Sequence, residues 1–188
     1  NWKVSSEGGP DPLRFLVDSS EWRRISGEVD WTTVTNVIRP GPHLMRWQYQ
    51  KDHSIARGID AGFVDQVDFV PAPPIPEAVN APSLAWTTSG NTPWFPEMVN
   101  THDGIASARS GDIGDNQASV LETTVIGPGE GTFYWKVSSE GADPLIFLVD
   151  GSEAARISGD VDWTQKAFNV PGGVHVLTWR YQKDHSAA

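Results

Sequence analysis

The feature that most constrains the fold of this chain is an internal repeat. Residues 2–7, Trp-Lys-Val-Ser-Ser-Glu, recur as residues 135–140, and residues 49–54 recur as residues 181–186. When residues 1–56 are aligned with residues 134–188, roughly 34 of 55 positions are identical. The offset is 133 residues at the first motif and 132 at the second, because the first copy has one extra residue near Gly9-Pro10. The sequence therefore predicts tandem repeats of about 132 residues.

The register of the repeat sets the expected domain limits. We expect residues 1–72 to be the C-terminal portion of one unit, residues 73–83 to be a proline-rich linker, and residues 84–188 to be the next unit without its final strand, the equivalent of residues 57–72. Either the chain is part of a longer polymer, or the missing strands come from a neighbouring molecule by strand addition to an open edge. The linker is expected to be stiff and extended, because prolines are frequent in it.

The local pattern is that of β-strands throughout. Apolar residues alternate with more polar ones in three runs, with Phe133, Trp135 and Val137, then Leu145, Phe147 and Val149, then Leu177, Trp179 and Tyr181 expected to face inward and Ile146 to face outward. Glycine, proline and aspartate clusters separate these runs at the spacing of an antiparallel sandwich. No long segment has a helical period. The sequence predicts an all-β protein, an antiparallel β-sandwich.

Composition excludes several classes of protein. The net charge of −10 and the pI near 4.8 disfavour nucleic acid as a partner, because phosphate binding needs clustered Lys and Arg. The chain has no cysteine, which excludes disulfides, thiolate metal sites and thiol catalysis. No apolar run reaches the roughly 18 residues of a membrane-spanning helix, so no membrane span is expected.

Several motifs together resemble a known module. They are residues 91–95 (Asn-Thr-Pro-Trp-Phe), 101–104 (Thr-His-Asp-Gly), 108–117, 135–140, 157–159 (Ile-Ser-Gly), 179–184 (Trp-Arg-Tyr-Gln-Lys-Asp) and 60–65 (Asp-Ala-Gly-Phe-Val-Asp). In this order they resemble a repeat module of secreted and surface proteins of bacteria that is similar to MAM-type and concanavalin-A-like jelly rolls. The resemblance implies an extracellular jelly-roll sandwich used for binding or assembly, on the bacterial cell surface or secreted. It does not specify a function, because such modules accompany proteases, adhesins and glycan-active proteins alike.

The tryptophans supply the candidate ligand-binding residues. Six of the nine form repeat pairs, and paired strand tryptophans are expected in the core. Trp22 aligns with Ala154, so a sugar platform there would not be a property of every unit. Trp94 and Phe95 lie between Pro93 and Pro96 and are the best candidates for exposed aromatic rings that stack on a sugar or a subunit. The alternative is a loop packed against the sandwich.

Four aspartates suggest a structural calcium ion. Asp65 interrupts a series of apolar residues, Phe63, Val67 and Phe69, that is expected to face inward, and an inward aspartate needs a partner. Asp103, Asp112 and Asp115 add carboxylates in glycine-rich loops. Their spacing is not that of an EF-hand. Backbone N–H groups are the alternative partners of Asp65.

The sequence gives little support to catalysis, and no enzyme is predicted. Residues 51–54, Lys-Asp-His-Ser, contain the residue types of a triad, but adjacent residues point in different directions. Neither a Gly-x-Ser-x-Gly motif nor HExxH ligand spacing is present. Two hypotheses remain, and a spacer that only displays another domain is a third, weaker one. The first is a structural or adhesive extracellular protein whose units join copies of themselves head to tail, and the second is a carbohydrate-binding module of a larger secreted protein.

Overall fold

The computed structural model of the protein describes residues 1–39, 41–53 and 55–185 and divides them into two compact units. Unit 1 comprises Asn1–Val70 and unit 2 comprises Pro71–Ala188. Both are built from antiparallel sheets, and the described residues include only one short helix. This confirms the predicted all-β class.

The described part of unit 1 contains six strands in two sheets of three. They are β1 (Trp2–Ser5), β2 (Leu13–Val17), β3 (Ser20–Ile25), β4 (Glu28–Thr32), β5 (Met45–Tyr49) and β6 (Ala61–Val64). One sheet has the order β4-β1-β6 and the other has the order β3-β2-β5. The core of the unit consists of five buried side chains, Trp2, Val4, Leu13, Phe15 and Val17. They are alternate residues of β1 and β2, as strands with one buried face require.

Unit 2 begins with a short helix, and its described part contains seven strands. The elements are α1 (Ile75–Ala78), β7 (Trp86–Gly90), β8 (Phe95–Glu97), β9 (Ser107–Arg109), β10 (Ala118–Ser138), β11 (Leu145–Val149), β12 (Ser152–Ile157) and β13 (Asp160–Gln182). Five strands form one sheet in the order β12-β11-β13-β10-β7, and β8 pairs with β9. The helix lies in the segment expected to be an extended linker, where Ala78 is buried and Ile75 packs against the core of unit 2.

The long strands β10 and β13 organise unit 2. Their ladder runs from the pair Ala118 and Gln182 to the pair Ser138 and Asp160, and an irregularity between Gly127 and Gly129 divides it into two parts. A glycine is needed at this irregularity. A Cβ atom on Gly127 would overlap the carbonyl oxygen of Pro171. The first half of β10 pairs with both β7 and the second half of β13, whereas its second half pairs, among the described residues, with the first half of β13 alone.

The core of unit 2 is rich in aromatic rings. Its buried members are Trp94, Leu121, Trp135, Val137, Leu145, Phe147, Leu177 and Trp179. Phe147 lies 5.1 Å from Trp179 between ring centroids. The expected inward residues of β10, β11 and β13 are thus placed correctly. The prediction was wrong for Ile146, which is expected to face outward and is only 1% exposed. An isoleucine on the second face of β11 is buried in unit 2, whereas the aligned Arg14 of unit 1 is half-buried.

The two copies of the repeated segment make the same local contacts. The Ser6 hydroxyl donates to the carbonyl of Asp11 (2.8 Å) and accepts from the Gly27 N–H. Ser139 has the same two partners at the aligned positions, the carbonyl of Asp143 (2.7 Å) and the Gly159 N–H. The two copies therefore share this turn, although β4 and β5 are separate strands in unit 1 and their equivalents in unit 2 are parts of the one long strand β13.

Candidate functional site

Strand β6 covers one edge of β1 in unit 1. The register pairs Trp2 with Val64, Lys3 with Phe63, Val4 with Gly62 and Ser5 with Ala61. On its other edge β1 pairs with β4, where Val4 lies opposite Val29. Both edges of β1 are therefore hydrogen-bonded within unit 1.

In unit 2, the described residues give the same strand one partner. Residues 135–138 of β10 pair with β13 as β1 pairs with β4, with Trp135 opposite Thr164 and Val137 opposite Val161. Among the described residues, no strand pairs with their second edge. We call this segment of β10, residues 135–138, the open edge. An unpaired edge presents backbone N–H and C=O groups that can bind an added strand.

Polar contacts anchor β6 in unit 1. The Tyr49 hydroxyl donates a 2.8 Å hydrogen bond to Asp60, and the ammonium group of Lys51 also pairs with Asp60. These two contacts, that of Lys51 above all, lower the pKa of Asp60. One residue earlier, the Ile59 N–H donates to the Ser5 hydroxyl at 2.8 Å. The start of β6 is thus fixed by side chains of β1, of β5 and of the residues that follow β5.

Unit 2 has the same anchoring residues without the strand. Ser138, Tyr181 and Lys183 are the repeat equivalents of Ser5, Tyr49 and Lys51. Within the part of the chain that the structure describes, no carboxylate takes the place of Asp60. The Lys183 ammonium instead lies 3.9 Å from the carboxylate of Asp143. Burial raises the pKa of the Tyr181 hydroxyl, and the nearby carboxylates of Asp143 and Glu140 add to this effect.

A cleft of about 1000 Å³ lies within unit 2 beside the open edge. Its lining includes apolar side chains of the core, Trp86, Trp94, Trp135, Leu145 and Trp179. Ser138, Tyr181 and Lys183 line the same cleft. The open edge, the anchoring residues and an apolar cleft therefore meet in one place, which is the combination expected of a strand-binding site.

The aromatic residues predicted to bind a ligand are dispersed. Trp94 is not an exposed loop residue, because it is 9% exposed and belongs to the core of unit 2. Phe95 is half-buried in β8 and lies beneath the guanidinium of Arg109, 5.6 Å from the ring centroid. Trp22 is 40% exposed on β3, with its ring 6.4 Å from that of Phe15. Of the three, only Trp22 presents a large free aromatic surface.

The predicted calcium ligands do not come together. Among the described residues, Asp65, Asp103, Asp112 and Asp115 belong to no group of three clustered metal-ligand side chains. Asp103 instead accepts from the side chain of Asn80 and the N–H of Ile105, contacts that lower its pKa. Asp112 pairs with Arg109 at 3.2 Å, and Asp115 is exposed.

The segment around Asp65 does not face inward as predicted. The apolar series was expected to face inward, but Val67 and Phe69 are well exposed and Asp65 lies on the surface. The physical reason is that β6 ends at Val64, where its pairing with β1 ends. Beyond that point the N–H of Asp65 donates to the carbonyl of Asn1, the residue before β1.

Sequence reasoning missed a different carboxylate group. Ligand oxygens of Glu140, Asp143 and Asp184 lie within 4.8 Å of one another, and Asp143 is buried. The available signal was the recurrence of all three residues, which align with Glu7, Asp11 and Asp52. This group is a more compact set of oxygens than the predicted one. A structural calcium ion itself stays a prediction.

Two aspartate and histidine pairs have a structural role in turns. Asp150 and His175 lie 2.6 Å apart, and the second carboxylate oxygen of Asp150 accepts from the N–H of Val176. Asp18, His43 and Leu44 repeat this arrangement in unit 1. Asp18 lies in the turn between β2 and β3, and Asp150 lies in the turn between β11 and β12. Each carboxylate thus joins its turn to a histidine and to the residue after that histidine. Ser54, part of the motif that contains triad residue types, lies outside the described residues.

The fold and the site together define an antiparallel all-β protein with an unpaired strand edge next to an apolar cleft. In the part of the chain that the structure describes, no helix is long and apolar enough to cross a membrane. Comparison of the chain with protein-family models, with curated proteins and with solved structures finds no match.

Proposed function

We propose that this chain is a non-catalytic structural module of an extracellular tandem-repeat protein, whose jelly-roll units join head to tail and are completed by strand addition. The observation that supports the proposal is the difference between the two copies of one strand. In unit 1 the strand is paired on both edges, and in unit 2 it has the same residues and an open second edge. The partner is a further copy of the repeat, and the location is secreted or on the bacterial cell surface.

Strand addition is favoured energetically at this edge. Backbone groups at an open edge bond to water, and an added strand replaces these bonds by strand-to-strand hydrogen bonds, each worth about 0.5–1.5 kcal/mol net. Trp135 and Val137, on the same strand, are already buried in the core of unit 2. An added strand would therefore extend an existing sheet and cover part of an existing apolar cleft, without requiring a new core.

The proposal is tested by supplying the missing strand in the same chain. A second copy of residues 57–72 is appended after Ala188, the position that aligns with Ala56. We expect the melting temperature of unit 2 to rise by several degrees, since about 1 kcal/mol corresponds to 2–8 °C in domains of this size. We also expect concentration-dependent association of the original chain, measured by light scattering, to be lost in the extended chain.

The control for this experiment is an extension of the same composition in scrambled order. Strand completion predicts that the scrambled extension changes neither the melting temperature nor the association. If the native extension behaves like the scrambled one, strand addition at this edge is refuted.

The alternative function is a carbohydrate-binding module. Trp22 supports it, because this ring is exposed on a strand of unit 1 and an aromatic face can stack on a sugar ring. A glycan array with the wild-type chain and with Trp22→Ala tests this function. Binding that is lost on substitution would establish it, and no binding, or binding that the substitution does not change, would refute it.

A further inference from the structure

We infer that each unit carries a carbohydrate-binding platform on its surface, built around Trp31 in unit 1 and the equivalent Trp163 in unit 2. The platform consists of this tryptophan, an ion pair of a lysine and an aspartate beside it, and a second aromatic ring in contact with it. The ligand is a neutral oligosaccharide. The inference goes beyond head-to-tail assembly, and its site does not include Trp22, so it is independent of a module that binds sugars through Trp22.

In unit 1 a β-bulge brings the aspartate and the tryptophan to the same residue of β1. The register between β1 and β4 shifts by one residue, so that Asp30 and Trp31 both lie opposite Lys3. Bulges of this kind re-aim side chains. The Lys3 ammonium pairs with Asp30 at 2.8 Å, and the ring of Trp31 lies 6.4 Å from that of Phe63, which is opposite Lys3 on β6. Because cross-strand partners share a face, these four side chains lie on one face of the sheet.

Unit 2 has the same bulge and the same ion pair. The register between β10 and β13 shifts at the aligned position, so that Asp162 and Trp163 both lie opposite Lys136. The Lys136 ammonium pairs with Asp162 at 2.8 Å. The second aromatic ring comes from a loop, where His102 lies 5.9 Å from Trp163 and stacks on Tyr134 at 3.7 Å between ring centroids. The bulge, the ion pair and a tryptophan with an aromatic neighbour are thus properties of both copies.

The two platform tryptophans are surface residues. As a repeat pair they were expected in the core, but neither belongs to the core of its unit. Trp31 is 48% exposed, and Trp163 is half-buried beside the exposed ring of His102. A large ring that a bulge holds at the surface presents an apolar face, and such a face can stack on the C–H groups of a sugar ring.

The ion pair supplies the polar part of the platform. Asp30 and Asp162 are 84% and 85% exposed, so their carboxylates can accept from a ligand as well as from lysine. The lysine, followed by the N–H of the adjacent tryptophan, lowers the pKa of each aspartate, which is therefore ionised at neutral pH. Sugar hydroxyls both donate and accept, so they can bond to the carboxylate and to the ammonium. Because the lysine balances the charge of the aspartate, the platform favours a neutral ligand over an anion or a cation.

A glycan array with the 188-residue chain tests the inference. The array carries neutral and acidic oligosaccharides, and we expect binding to neutral ones. The neutral oligosaccharide with the strongest signal is then titrated by isothermal calorimetry, where we expect one bound ligand per unit. An array on which no neutral oligosaccharide binds would overturn the inference.

Substitutions in the platforms locate the binding. Trp31→Ala and Trp163→Ala should each remove one of the two sites, and the double substitution should weaken binding about tenfold or more, because the stacking surface is lost in both units. Asp30→Asn combined with Asp162→Asn should weaken binding by a smaller factor, because the amide keeps the shape and loses the charge. Both aspartates are exposed, so this second variant tests the platforms even where loss of Trp163 disturbs folding.

Trp22→Ala is the matched control, because this tryptophan is exposed and lies outside the platforms. Binding that survives Trp22→Ala and is lost in the Trp31→Ala, Trp163→Ala variant supports the inference. The reverse pattern would place the sugar at Trp22, and it would overturn the inference while a carbohydrate-binding function remained. Equal losses in the two variants would show that binding does not depend on the platforms in particular, which also overturns the inference. Head-to-tail assembly is measured separately, by light scattering.

Discussion

Tyr49 donates a 2.8 Å hydrogen bond to Asp60, the residue that precedes the strand β6. The repeat places Tyr181 at the same position in unit 2, where the described residues contain no counterpart of Asp60. Tyr49 and Tyr181 therefore occupy equivalent positions. Tyr49 has the β6 segment beside it, and Tyr181 has no such segment among the described residues.

The tyrosine titration should distinguish the two units. Burial, and then the hydrogen bond to Asp60, raise the pKa of Tyr49 to about 12. A phenol whose folded pKa lies above its unfolded value of 10.0 stabilises the folded state fully below pH 10, and this contribution is lost as pH rises towards 12. We expect Tyr49→Phe to remove a tyrosinate transition at about pH 12, measured by absorbance at alkaline pH.

The tyrosine assignment has an internal control. Single substitutions of Tyr49 and of Tyr181 by phenylalanine assign the transitions of these two residues. Adding the β6 strand should raise the pKa of Tyr181 towards that of Tyr49, because a carboxylate would then accept from its hydroxyl. If the transition at about pH 12 remains after Tyr49→Phe, the assignment is wrong.

Replacement of Trp94 should lower the stability of unit 2, because this ring belongs to the core. The side chain is buried with Leu121 and Trp179 in the core, so Trp94→Ala removes a large ring and leaves a cavity. We expect a loss of about 3–5 kcal/mol in the free energy of unfolding, measured with denaturant. Trp22→Ala is the matched control, since that ring is 40% exposed, and its cost should be about 1 kcal/mol or less. Equal costs would contradict the placement of Trp94.

Gly90 should tolerate no side chain. Its φ is +97°, which L-residues rarely adopt, and a Cβ atom would meet the backbone of Ala118 and lie 3.2 Å from the Cα of Ser119. Gly90→Ala should therefore lower the free energy of unfolding by about 1–3 kcal/mol, measured with denaturant. Gly141→Ala is the control, because a Cβ atom there would meet nothing within 4 Å and no positive φ is involved. A neutral Gly90→Ala would refute the close pairing of β7 with β10.

The turn held by Asp150 should weaken in acid. The hydrogen bond from His175, followed by that from the Val176 N–H, lowers the pKa of Asp150 below its usual 3.8. A carboxyl group whose folded pKa is depressed stabilises the protein above its unfolded pKa, and this contribution is lost as pH falls below about 3.8. Asp150→Asn should therefore flatten the pH dependence of stability below about pH 4 and leave its alkaline limb unchanged. The same flattening is expected for Asp18→Asn in unit 1, whose pKa is lowered by the aligned partners.

Alternation of side chains predicted much of the fold. Phe133, Trp135 and Val137 were assigned to one face, and Trp135 and Val137 are indeed buried. This works because a strand with one buried face has a period of two that the sequence records directly. The prediction for Ile146 was wrong because the pattern assumes one solvated face, whereas β11 is covered on both faces. The predicted inward face at Asp65 was wrong because periodicity does not show where the pairing of a strand with its neighbour ends.

The site residues were harder to predict. Trp94 was a candidate for an exposed ring because prolines flank it, with a loop packed against the sandwich as the alternative, and the structure places its ring in the core. Glu140, Asp143 and Asp184 are 44 positions apart at most in the sequence, and only the fold brings their carboxylates together. Composition and spacing could not distinguish these carboxylates from solvated ones.

By itself the sequence determined the repeat, the β class and the alignment of Tyr49 with Tyr181, because identity and period are properties of residue order. Only the tertiary structure decided which strand edge is unpaired. Pairing joins β1 to β6 across more than 50 residues, and β10 to β13 in a register that no local pattern specifies. The repeated Trp-Lys-Val-Ser-Ser-Glu segment is therefore the same strand twice, with two partner strands in unit 1 and, among the described residues, one in unit 2, since backbone hydrogen bonds depend on which strand lies alongside.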